Sequence, residues 1–200
     1  ARYQRRDAPL LRELRHGRRT GERPHALCLT WADARLVPNV ITASGPGDLF
    51  TVRNLGNLVQ PNAADMSMEA ALAYGIIELN VNTMIICGHS RCGAMTALLS
   101  DAGHRDGIPA AVAAWIDQAL PILDAFRAGH PVGRAAARRG YDVCDQLAMV
   151  NVACQIQSLK GHPVVGPALE ERRLDTLGLF FDVASGRVLR LTESDGEDLG

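Results

Sequence analysis

The sequence predicts an α/β fold built on a mainly parallel central sheet. Three observations predict it. Short apolar runs of strand length alternate with longer helical stretches along the chain. One run, Thr83 to Cys87, is apolar almost throughout, the pattern of a strand buried on both faces of a parallel sheet. The polar residues best suited to chemistry follow directly on such runs, where open α/β sheets place their sites.

Taken in order, residues 1–20 carry seven arginines with Leu10, Leu11 and Leu14 at helical spacing after Pro9. This reads as a helical arm that docks on a partner subunit. The apolar run His25 to Leu29 leads into Trp31 and reads as a buried strand, and Leu49 to Val52 as a second. Gly45-Pro46-Gly47-Asp48 is a turn between them. A helix is predicted from Ser67, as its N-cap, to about Leu79. Thr83 to Cys87 is the third strand, ended by Gly88, and Gly93 to Leu99 opens another helix.

Further on, Ala110 to Phe126 reads as one helix with Trp115 on its buried side, and Tyr141 to Leu159 as a long one. Leu177 to Val183 and Val188 to Leu191 form a hairpin around Ser185-Gly186. The acidic tail, residues 193–200, is expected to be mobile. The whole of 1–200 reads as one domain, long enough to bury a large core.

Composition excludes several classes. The formal net charge is −1, so whole-molecule charge gives no basis for nucleic-acid binding. No run of about 18 apolar residues is present, so direct membrane insertion is not expected. The arginine-rich start is not followed by an apolar stretch, so no signal peptide is read. The five cysteines lack the spacing of a small disulfide scaffold, and reduced thiols in the cytoplasm are the reading. A chain that begins at Ala1 without Met reads as a trimmed protein or a piece of a longer one, including a cytoplasmic domain of a membrane protein.

Two short motifs stand out. The first is Trp31-Ala32-Asp33-Ala34-Arg35, with an acid and a base two residues apart. The second is His89-Ser90-Arg91-Cys92, a pair of metal-capable side chains before a helix. Cys92 at that helix N-terminus is expected to ionise below the usual thiol value of about 8.5. A Cys/His pair suits nucleophilic catalysis, with Asp33 accepting a proton and Arg35 or Arg91 holding an anion. The alternative is purely structural: an Asp33–Arg35 ion pair at an interface and a buried Cys92. Cys28 as a further member of the motif is disfavoured, because it lies three residues before Trp31, on the other face of a strand. Cys87, Cys144 and Cys154 read as packed residues, His104 and His130 as solvated, and His162 as a helix-terminal structural residue.

These motifs resemble the β-class carbonic anhydrases, whose first zinc motif reads Cys-x-Asp-x-Arg. The resemblance continues through Gly45 to Leu58 with Arg53-Asn54-Leu55-Gly56-Asn57, through Cys87 to Met95, and through Asn151-Val152 and His162-Pro163 to the closing hairpin. It implies the β-carbonic-anhydrase fold, with an N-terminal arm and a C-terminal hairpin, and self-association as a dimer or higher. It also implies zinc held by Cys, His and Cys, with water or the motif aspartate as fourth ligand. Carried over, His89 and Cys92 match two ligands, Asp33 the aspartate, and Arg35 its partner. The first cysteine is replaced by Trp31, whose indole nitrogen is a donor only and has no lone pair for a metal.

Some bacterial members hold regulatory bicarbonate beside a tryptophan three residues before that cysteine. Here that position is Cys28, although Arg53 is retained. The stretch Ser44 to Asn54 is also similar to carbonic-anhydrase-like domains fused behind sulfate-permease-type transporters. The functional expectation is a diverged member with zinc-dependent carbon dioxide hydration impaired or lost, and with no cofactor. It would bind or act on a small ligand, carbon dioxide, bicarbonate or an analogue, in the former pocket. Asp33, Arg35 and Cys92 are its candidate catalytic residues, and Trp31, Arg53, Gly88 and Gly93 its candidate ligand contacts. Two alternatives stand beside it: an active zinc enzyme with a site rebuilt from Asp33, His89 and Cys92, and a regulatory binding module without chemistry.

Overall fold

A computed structural model describes residues 21–60, 65–100, 107–192 and 195–199. The arginine-rich arm of residues 1–20 and His104 lie outside them. Six strands form one sheet in the order β2-β1-β3-β4-β5-β6. They are β1 (Ala26–Trp31), β2 (Leu49–Asn54), β3 (Thr83–His89), β4 (Asp175–Phe181), β5 (Val188–Leu191) and β6 (Gly196–Asp198). The first four are parallel, and β5 and β6 add antiparallel. The expected α/β architecture with a closing hairpin is therefore present.

β1 lies between β2 and β3, and its register pairs Trp31 with Asn54 and Thr30 with Cys87. Period-two alternation divides its side chains. Leu27 and Leu29 enter the main core, while Ala26 and Cys28 join Ile85, Cys87 and Leu179 in a smaller cluster. Trp31 packs against the main core, so Cys28 and Trp31 do part company as their spacing required.

The helices are α1 (Pro38–Ile41), α2 (Met66–Ala73), α3 (Gly93–Leu99), α4 (Ala110–Asp117), α5 (Leu120–Arg127), α6 (Pro131–Arg138), α7 (Val143–Leu159) and α8 (Val165–Glu170). The N-cap of α2 is Asp65, not Ser67: its carboxylate accepts from the Ser67 and Met68 amides at 3.0 and 3.3 Å. A wider turn, Tyr74–Glu78, continues α2. The predicted single helix from Ala110 to Phe126 is two. Pro121 sits in the first turn of α5, where a missing N–H costs nothing and would break a continuous helix. Trp115 is half-buried and donates from Nε1 to the Leu55 carbonyl at 2.6 Å. α6 was not expected, and His130 is not a solvated loop residue. Its Nδ1 accepts from the Val132 amide at 3.3 Å, capping α6 ahead of Pro131.

Three further details position or correct the frame. Gly88 carries no side chain because β3 crosses α7 closely: a Cβ there would lie 2.7 Å from Val152 Cγ2 and 3.4 Å from the Ala148 carbonyl. His162 is buried, pairs with Glu69 at 2.9 Å and accepts from the Val164 amide, the structural role expected of it. The described part of the acidic tail, residues 195–199, includes a short strand. Gly196–Asp198 pairs with β5, and Arg187 and Arg139 pair with Asp198 and Asp195. Backbone pairing and two nearby guanidiniums hold what its acidity alone suggested would be loose.

Candidate active site

The C-terminal ends of β1 and β3 lie side by side and carry the two motifs. From β1 the chain leaves through Trp31 into a turn closed on Asp33. Asp33 Oδ1 accepts from the Arg35 amide at 2.8 Å and from Arg35 Nε at 2.9 Å, and Oδ2 accepts from Arg35 Nη2 at 2.6 Å. This fork of charge-assisted bonds holds the Asp33 carboxyl far below the usual carboxylate range, against a smaller opposing effect of burial. Asp33 is therefore an ionised acceptor at neutral pH.

Arg53 fixes the same turn from β2. Its guanidinium donates to the carbonyls of Trp31, Asp33 and Leu36 at 3.2, 2.9 and 2.6 Å. This geometry gives Arg53 a role as a backbone clamp, through Nε and Nη2, that the sequence did not announce. Gly88 lacks a side chain where β3 packs closely on α7. Gly93 does face open space, with no heavy atom within 4 Å of a Cβ placed on it.

At the end of β3, His89 is completely buried. Its Nδ1 lies 2.8 Å from the Ser90 carbonyl, which can only accept, so Nδ1 carries the proton. Nε2 then presents a lone pair, and it has no hydrogen-bond partner. The nearest acid atom is Asp33 Oδ2 at 4.0 Å. Burial lowers the His89 pKa, which keeps the ring neutral near pH 7. The Trp31 indole stands beside it, with ring centroids 5.9 Å apart and planes tilted by 47°.

The turn after His89 is braced by groups that the sequence did not single out. Ser90 Oγ donates to Asp182 at 3.2 Å and accepts from the Val183 amide at 2.9 Å. Arg91 adopts φ 55°, and its amide donates to Asp145 Oδ1 at 2.7 Å. A second orphan, Asn57 Nδ2, is buried without a partner in the turn after β2, which packs on β1 and β3. No periodicity or motif announces an unpaired amide, so only the folded geometry reveals it.

Cys92 caps α3 and is 2% exposed. The expected low thiol pKa is reversed. Burial pushes it up to about 11, outweighing the Met95 and Ala94 amides that favour a thiolate. The carbonyl of Cys92 lies 3.5 Å from Cys144 Sγ and accepts from Thr96 Oγ1 at 3.1 Å.

The sequence model of the carbonic anhydrase family matches residues 26–188. The chain belongs to the β-class carbonic anhydrase family. It is 38% identical over 192 residues to a carbonic anhydrase of Pseudomonas aeruginosa, covering 94% of this chain and 82% of that protein. It is 35% identical to a carbonic anhydrase of Synechococcus elongatus, covering 90% of this chain but only 64% of the relative, less than two thirds of its length. The solved β-carbonic anhydrase CcaA superposes with a TM-score of 0.80 at 29% identity, over 98% of this chain and 92% of that one. A structure from work on two tetrameric β-carbonic anhydrases of Sordaria macrospora gives a TM-score of 0.72 at 28% identity, over 94% and 89%.

β-Carbonic anhydrases are zinc enzymes, and the donor set here does not fit that metal. Trp31 contributes no lone pair. Zinc sites need at least three protein ligands, and only His89 and Cys92 stand uncommitted to an ion pair. Asp33 is held by Arg35, and although its Oδ2 lies 4.0 Å from His89 Nε2, the ligand atoms of Asp33, His89 and Cys92 do not all three come within 4.8 Å of one another. Among the described residues only Asp142, Cys144 and Asp145 meet that spacing. There Asp142 caps α7 and Asp145 holds the Arg91 amide, so both carboxylates have structural work. No described helix is long and apolar enough to cross a membrane.

Proposed function

We propose that this chain is a β-carbonic anhydrase homologue in which zinc-dependent hydration of carbon dioxide is impaired or lost. It keeps the pocket as a binding site for a small planar carbonyl compound of the size of carbon dioxide or a carboxylate. One observation carries the reading: an indole stands at the end of β1 where the family's first zinc thiolate belongs, beside a His89 whose Nε2 is left without a partner. Loss of one soft anionic ligand from three removes the larger part of zinc affinity. The protonated, buried Cys92 supports a binding role over a nucleophilic one.

In this reading Arg35 and Arg53 keep Asp33 and its turn in place, Trp31 forms an apolar wall, and His89 supplies a fixed lone pair. Self-association as a dimer or higher accompanies the family fold, and the likeness to the Sordaria structure, from work on tetrameric enzymes, supports it. A second reading, an active zinc site rebuilt from Asp33, His89 and Cys92, is favoured by the 4.0 Å approach of Asp33 to His89. It requires Asp33 to leave Arg35. Stopped-flow hydration of carbon dioxide, with and without added zinc, separates the two. The proposal expects a rate at or only slightly above buffer in either case, and zinc-dependent turnover comparable to the Pseudomonas relative would reject it.

A further inference from the structure

A cavity of about 770 Å³ lies outside the site at the ends of β1 and β3. It opens between the segment after the β2 turn, the start of α5 and the C-terminal end of α7. None of Trp31, Asp33, Arg35, His89 and Cys92 lines it. Its volume is that of a small-molecule site, about 300–1,000 Å³. Val59, Pro121, Ile122 and Pro163 give it an apolar wall.

Most buried polar groups on the cavity are already committed. Gln155 Oε1 accepts from the Val59 amide at 2.8 Å, and its Nε2 donates to Asn151 Oδ1 at 3.1 Å. His162 Nε2 pairs with Glu69 at 2.9 Å, and its Nδ1 accepts from the Val164 amide at 3.2 Å. Gln60 is the exception. It is only 9% exposed, yet its side-chain amide has no hydrogen-bond partner among the described residues. Nor is that amide sealed in the core: the sealed, unpaired side-chain atoms among the described residues are Asn57 Nδ2 and His89 Nε2. What Gln60 leaves open therefore belongs to the cavity that it lines.

This lining selects the chemistry of a ligand. No Asp, Glu, Lys or Arg side chain lines the cavity, so a charged ligand would be buried without a counter-charge. A carboxamide presents a donor and an acceptor side by side. Both are met at once by a second amide edge with its N–H and C=O on the same side, the arrangement that a ring imposes. A ring also suits the proline and valine wall.

We propose that this cavity is a second ligand site, and that it takes an uncharged cyclic amide. The ligand N–H donates to Gln60 Oε1, Gln60 Nε2 donates to the ligand carbonyl, and the ring lies on Val59, Pro121 and Pro163.

The test compares 2-pyridone, which carries that edge, with N-methyl-2-pyridone, which keeps the ring and the carbonyl but loses the donor. Proton–nitrogen NMR of the intact chain reads the Gln60 side-chain NH2 signal, assigned by its loss in Gln60→Met. Rings of this size are expected to bind at about millimolar strength, so each is titrated to about 50 mM. 2-Pyridone should shift the Gln60 signal saturably, and N-methyl-2-pyridone should bind about tenfold more weakly. Gln60→Met should weaken 2-pyridone by about the same factor, read at the Val59 backbone amide. If that variant does not fold, the two rings on the parent chain still decide. Equal binding of both rings would overturn the proposal. So would a Gln60 signal unmoved at the highest concentration, or shifts confined to the Trp31 indole N–H, which would place the ligand at the strand ends instead.

Discussion

The ends of β1 and β3 are neighbours in one sheet, yet they have diverged to different degrees. At the end of β3 the motif His89-Ser90-Arg91-Cys92 keeps its family residues and is braced on three sides, by Asp182, Val183 and Asp145. At the end of β1 the turn is braced as firmly, by Arg35 and by three bonds from Arg53, but the side chain that should reach the metal is an indole. The scaffolding of a zinc site and its ligand set are thus separable. Backbone clamps are satisfied within the protein and persist without metal. A ligand position has no such internal demand, and beside it His89 Nε2 has no hydrogen-bond partner within the protein.

Restoring the ligand at β1 should have the largest effect. Trp31→Cys is expected to raise zinc content to about one per chain and to bring carbon dioxide hydration above the parent, read by stopped flow. Asp33→Ala in that background should reduce the gain. A folded Trp31→Cys protein without hydration would mean that the two strand ends differ by more than one ligand.

On the β3 side, the thiol pKa of about 11 leaves Cys92 far less ionised at pH 7 than an ordinary thiol. Alkylation at that pH should be on the order of a hundredfold slower than for a free cysteine. Mass spectrometry after iodoacetamide treatment reads it, and preferential labelling of Cys92 over Cys144 and Cys154 would restore the nucleophile reading.

A smaller effect probes the packing behind β3. Gly88→Ala puts a methyl into Val152 and should cost about 1–3 kcal/mol in a urea melt. An unchanged midpoint would show that β3 and α7 have slack, and that the site is less fixed than its hydrogen bonds suggest.

The smallest effect is in pH. The His89 pKa is lowered in the folded state, first by burial, so its contribution to stability is present above the unfolded value of about 6.5 and is lost as pH falls through that value toward the folded one. Thermal melts should fall slightly from pH 7 to pH 5, and His89→Gln should flatten that slope. A slope unchanged in His89→Gln would assign it to other groups.

Much of this was legible in the sequence. The strands could be read because β1 and β3 are central and buried, so their apolar runs are nearly uninterrupted. The departure at Trp31 was legible because an indole cannot stand in for a thiolate. Other features were not. The break between α4 and α5 hid inside a continuous helical pattern that Pro121 begins afresh. The α6 cap depends on an imidazole lone pair that no composition rule assigns. The clamping role of Arg53 was not legible because its partners are carbonyls 17 to 22 residues away. The Cys92 expectation failed because a helix terminus favours the thiolate, while burial, which depends on the whole fold, opposes it more strongly.

The central claim is that Trp31 alone separates this pocket from a zinc site. Elemental analysis of the parent and of Trp31→Cys, purified side by side and dialysed without chelator, tests it most directly. The account predicts well under one zinc per chain in the parent and about one in the variant. A full equivalent of zinc in the parent would contradict it.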